Sequence, residues 1–282
     1  MSTLVIRRWH NAFAGFLMAP MEINRIQSFA TRFYLTCLVV LAYSARFGMR
    51  NTAPLWFEPL PELNWLPHET WIVRLSYTLT GLLLLAAAFV PRQSLRILTF
   101  FSWFMAVGAS YGSGFINHLE ASATIALGIM ALGPTDMAWP IRFTGLYWIL
   151  IIFLSGLNKL FLSGPLWPLT NPIFAIAQNS RFAISPYTSF LVKSPLTLSL
   201  SWFTFLMELS FPAILLSRKA FSWLFWPMLG LLTAILIFLR HGFIISMSPL
   251  ILAAYFSFGE NQIERAKEND PRGNHPVLPN LS

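Results

Sequence analysis

The chain has 282 residues, 56% of them hydrophobic and only 11% charged, with a mean hydropathy of +0.60 and a net charge of +8. A soluble domain carries roughly 25% charged residues, so the composition excludes an ordinary soluble enzyme and describes a polytopic membrane protein. The basic balance calls for no nucleic acid, because positive flanks of membrane spans and attraction to anionic headgroups account for it. The single Cys37 excludes an internal disulfide, a C-x-x-C redox pair and a thiolate metal cage, and no metal is expected.

The predicted architecture is all-α: a polytopic helical membrane bundle of about eight spans, preceded by an interfacial N-terminal helix. Residues 1–28 carry Arg7, Arg8 and Arg25 beside Trp9, Phe13, Phe16 and Leu17 at helical spacing. This is the pattern of a basic amphipathic helix lying on the cytoplasmic surface; a cleaved signal peptide is the alternative, though no small-residue cleavage site follows cleanly. Residues 29–258 form the transmembrane domain. Spans need about 20 apolar residues and are expected at 29–45, 73–90, 94–110, 115–133, 141–162, 196–216, 220–239 and 242–258. The 26 Phe and 11 Trp suit rings that meet lipid and its interfaces.

With both termini cytoplasmic, twelve of the 19 Lys and Arg fall on the cytoplasmic side and seven outside, which satisfies the positive-inside rule. The location expected is an integral one, in a bacterial inner membrane, with lipids as partners. Two outer segments, 46–72 and 163–195, are rich in Pro and Trp and are expected to form short interfacial helices over the outer mouth. The polar tail 259–282 is expected to be disordered.

Polar residues then converge on the outer side. Asn117 and His118 open the fourth span, Lys159 closes the fifth beside Asn158, and His241 opens the eighth. Glu208 lies near the middle of the sixth. Asn117, Glu120 and Thr124 share one helix face, Ser155, Lys159 and Ser163 another, and Ser201, Thr204 and Glu208 a third. Polar groups at membrane depth face the bundle interior, so three such stripes predict a hydrated or ligand-filled pocket. Plainer readings stand beside this one. Lys159, about 3 residues or roughly 5 Å from its span's end, can snorkel to the headgroups. His118 alone suits a satisfied interfacial residue, and His241 a flank. Glu208 serves equally as structural glue between helices. Counted along its span, it sits about 12 residues, or roughly 18 Å, inside, so pairing with Lys159 would require tilt or a re-entrant 163–195 segment.

The order Gly114-Phe115-Ile116-Asn117-His118, Asp136-Met137-Ala138-Trp139, Ser155-Gly156-Leu157-Asn158-Lys159-Leu160, Trp167 and Glu208 to Pro212 resembles one known family. It is similar to the horizontally transferred transmembrane domain family, which includes the membrane part of vitamin K-dependent gamma-glutamyl carboxylase and its bacterial relatives. The resemblance spans about residues 25 to 260. It implies an outward-facing site in which Lys159 is the base that deprotonates a reduced quinone of the vitamin K or menaquinone type. It gives His118 as the supporting catalytic residue, with Asn117 beside it; Asn117, Asn158, Glu208, Trp167 and His241 are the candidate substrate-binding residues. Two departures stand out. Asn158 occupies the place of a second Lys, and only the short tail follows Phe258 where the carboxylase has a large luminal portion. Quinol-linked oxidation or carboxylation is therefore the activity the resemblance implies, with the acceptor open.

Two rivals remain. Lipase maturation factors look similar over the same region, including Glu208 to Pro212, and imply a non-enzymatic maturation or assembly factor for an exported or membrane protein. A haem or quinol electron carrier would use His118 and His241 as axial ligands.

Overall fold

The computed structural model describes residues 13–48, 70–112, 118–170, 196–239 and 243–259, and those residues form helices and short connections with no strand among them. Residues 13–18 are helical and stop before Pro20, which has no amide hydrogen to continue the ladder. The chain becomes helical again at once. Glu22 offers its carbonyl to the amides of Arg25 and Ile26, and α1 runs from Ile23 to Gly48. The first long helix thus begins six residues earlier than its apolar run at 29–45, and Arg25 belongs to it rather than to the amphipathic stretch. Arg142 holds the preceding segment in place: its guanidinium donates to the carbonyls of Phe16, Leu17 and Ala19 and lies over the Phe16 ring. Phe16 also stacks on Phe258 near the other end of the chain.

Next come α2 (Thr70–Phe89), α3 (Gln93–Gly112) and α4 (His118–Leu132). With α1 they make one packed group, in which α2 contacts both α1 and α3, and α4 contacts α3 and α1. Hydroxyls tie these helices together. Thr31 donates to the Ala88 carbonyl, Thr80 and Ser102 share a hydrogen bond, and Trp103 Nε1 donates to Thr124. The second group is built on α5 (Trp139–Ser163), which Pro140 helps to start because a proline fits the first helical turn. Gly145 of α5 lies against the Ala254 backbone, where an added Cβ would meet Cα at 2.9 Å. That close approach seats α5 on the last helical segment.

After α6 (Trp167–Thr170) and residues outside the described set, α7 spans Leu196–Ser210 and tightens into a 3-10 turn, Phe211–Leu215, at Pro212. Then α8 covers Arg218–Leu239. The stretch expected as one span at 242–258 is broken: α9 (Phe243–Ser246) and α10 (Ser248–Ala254) meet at Met247, and a π turn, Tyr255–Gly259, follows. Pro249 explains the break, since it begins a new helix without donating to the old one. Buried rings fill the join between α5, α7 and α8, with Trp148 edge-on to both Phe211 and Phe225.

Among the described residues, four helices are long and apolar enough to cross a membrane: Ile23–Ala45, Trp139–Leu162, Thr197–Leu215 and Lys219–Leu236. Their neighbours carry the same outward character. On α2, Leu75, Leu79, Leu82 and Phe89 are exposed at helical spacing, and on α3 so are Ile97, Phe101, Phe104 and Met105. Apolar stripes of this extent are at odds with an aqueous surface and match lipid contact. The chain is an integral membrane protein by these features.

Candidate functional site

The site forms where α5 and α7 come closest. Gly156 makes the approach possible: a Cβ there would lie 2.9 Å from Glu208 Cβ and 3.1 Å from the Leu209 amide nitrogen. One turn further along α5, Lys159 reaches back across this crossing. Its Nζ lies 2.5 Å from both carboxylate oxygens of Glu208, and Ser155 Oγ donates to Oε1 at 3.3 Å. The side chains retain 21% and 11% exposure respectively, so the pair is mostly shielded yet reachable. Among the described residues this ion pair joins two membrane-length helices. Its charges cancel, which is the form in which ionisable groups are tolerated at membrane depth.

An aromatic wall stands on the other side of the amine. Lys159 Nζ lies 4.8 Å from the Trp167 ring centroid, a cation–π distance. Trp167 stacks on Phe205 at 6.3 Å, and Trp202 meets Phe205 edge-on. Pro165 and Gly164 place the indole there. Gly164 adopts φ of 68°, the left-handed region open to glycine, so α5 ends and the chain turns directly into α6. The result is a bound proton-carrying pair beside a flat aromatic face.

The contact between Lys159 and Glu208 resolves the depth problem. Phe205 of α7 meets Trp167, beyond the end of α5, while Glu208 meets Gly156 within it. The opening turns of α7 therefore extend past the last turn of α5, and counting residues from Leu196 overstates how far Glu208 lies below Lys159. Neither a snorkelling Lys159 nor an unpaired Glu208 describes the arrangement.

Lys159, Glu208 and Trp167 are thus brought together, as residues of one site. Asn158 follows Leu157 in α5 next to Lys159 and is exposed. His118 begins α4, but its side chain lies outside the described residues, as do Asn117 and His241 altogether. The polar stripes do not merge into one pocket among the described residues. Thr204 and Ser201 donate back to the carbonyls of Leu200 and Thr197 on their own helix. Glu120 instead finds its partners on α1 and α2. Ser155, which the sequence places on the Lys159 stripe, and Gly156, which it gives no role, are both neighbours of the pair. Their signal was a small residue pair one turn before a lysine, the pattern of a close helix crossing. Comparison with known protein families, curated proteins and solved structures finds no match to the chain.

Proposed function

We propose that the protein is an eight-span bacterial inner-membrane protein, both termini cytoplasmic, that uses Lys159 and Glu208 to take a proton from a lipid-soluble hydroquinone. The observation that carries this reading is the pair itself, held against the Trp167 indole in an otherwise apolar setting. A planar ring entering from the bilayer has an aromatic surface to stack on and an acid–base pair within reach of its hydroxyl. The O–H bond of the hydroquinone breaks, its electron pair stays on the quinol oxygen, and the proton goes to the Glu208 carboxylate. The Lys159 ammonium then faces the quinolate and offsets its charge, so the site stays electrically matched throughout. Reaction of that anion with dioxygen is the step that the resemblance to the carboxylase family adds: one oxygen atom enters the ring to give a quinone epoxide, and the other leaves as water with the two hydroquinone protons.

Retention of reduced menaquinone by protein in lipid nanodiscs, quantified by mass spectrometry after removal of free quinol, tests the reading. Wild type is expected to hold quinol and Lys159→Met to lose it. Retention equal to wild type in both Lys159→Met and Glu208→Leu would overturn it.

A second reading treats the same pair as a clamp. Both carboxylate oxygens engage the amine and Gly156 locks the crossing, which suits a non-enzymatic maturation or assembly factor whose function lies in an exported protein partner. Cross-linking to such a partner that survives Lys159 substitution would favour it.

A further inference from the structure

We propose that the Glu120 carboxyl is a binding site for a monovalent cation, H+ or Na+, inside the group formed by α1 to α4. Glu120 is fully buried, with no exposed surface. Tyr77 donates its hydroxyl to Oε1 at 3.0 Å, and the Ser44 hydroxyl is its second neighbour. Oε2 has no hydrogen-bond partner among the described residues.

A buried carboxyl oxygen with nothing to accept from is costly, and such an orphan in a native structure points to an ion, a proton or a water. The nearby Thr124 hydroxyl cannot turn to serve it. Thr124 Oγ1 donates to the Glu120 main-chain carbonyl and already accepts from Trp103 Nε1. No protein cation among the described side chains is available either. Of the titratable groups described on the packed elements, Tyr77 is the one in contact; Arg32 of α1 lies over the Phe256 ring and Arg96 of α3 is buried beside Tyr34. Arg74, one turn earlier on α2, is exposed. From α5, Arg142 is engaged with carbonyls 16, 17 and 19, and Lys159 with Glu208. Neither α9 nor α10 contains an ionisable residue.

One carboxyl supplies one negative charge, which a single monovalent cation neutralises. No group of three or more His, Cys, Asp or Glu gathers among the described residues to hold a divalent ion. The site shares no side chain with the Lys159 pair and belongs to a different set of helices.

The test uses the full-length protein in nanodiscs with a hydrophobic carbodiimide, which couples to protonated carboxyls in apolar surroundings, and locates the adduct by peptide mass spectrometry. Infrared difference spectra on changing pH or Na+ give a second readout that needs no reagent access. The expected result is an adduct at Glu120 and a carboxyl C=O band, both lost in Glu120→Gln, which keeps the side-chain volume. Protection by Na+ at fixed pH identifies the cation as Na+. Labelling that declines with rising pH and ignores Na+ identifies it as a proton. Absence of the adduct together with identical wild-type and Glu120→Gln infrared spectra would overturn the proposal.

Discussion

Gly156 lies so close to Glu208 that a single added carbon would stand 2.9 Å from Glu208 Cβ. The functional pair is therefore set by backbone proximity first and by charge second. Gly156→Val is expected to force α5 and α7 apart and to destabilise by roughly 1–3 kcal/mol, the range for overpacking. Gly230→Ala, where nothing lies within 4 Å, is expected to be neutral or to stabilise by up to about 1 kcal/mol through helix propensity. Thermal unfolding of the two variants in one detergent checks the contrast.

Removing one member of the Lys159–Glu208 pair leaves the other charge stranded. Breaking a fully buried pair costs roughly 3–5 kcal/mol. The 21% exposure that Lys159 keeps lowers the expectation to about 2 kcal/mol for Lys159→Met or Glu208→Leu. The double variant Lys159→Met with Glu208→Leu is expected to recover most of that loss. A double-mutant cycle in unfolding free energy measures the coupling, and additive losses would show that the two groups do not depend on each other.

Trp167 is expected to matter through its ring face. Trp167→Ala removes both the surface beside the amine and the stack on Phe205, and is expected to weaken quinol retention by about tenfold, near 1.4 kcal/mol. Trp167→Phe keeps a ring and is expected to restore most of it. Quinol titration of nanodisc samples distinguishes the two.

Arg142 bears on the beginning of the chain. Its donation to the carbonyls of Phe16, Leu17 and Ala19 closes the end of the first helical stretch. Arg142→Met is expected to raise amide exchange over residues 13–20 while leaving α7 unchanged. Hydrogen exchange read by mass spectrometry follows each segment separately.

Sequence reasoning reaches the helices and the individual polar residues more readily than their partners. The apolar runs and Pro positions mark where α2, α5 and α8 lie, because composition and local backbone chemistry decide them. The break at Met247 was written in Pro249 but hidden inside a run apolar enough to be read as one span. Lys159, Glu208 and Trp167 stand out as polar or amphipathic groups in apolar surroundings. Their meeting depends on how far α7 overhangs the end of α5, a tertiary offset with no periodic trace. The same holds for Glu120 and Tyr77, 43 residues apart, whose contact is fixed only when α2 packs beside α4.

The most direct measurement is quinone epoxide formed from reduced vitamin K or reduced menaquinone and dioxygen by membranes containing the protein, read by mass spectrometry. The proposed chemistry requires epoxide from wild type and its loss in Lys159→Ala and in Glu208→Gln, each shown to be folded. Absence of epoxide from folded wild type, or undiminished epoxide from Lys159→Ala, would contradict the assignment of Lys159 and Glu208 as the proton-accepting centre.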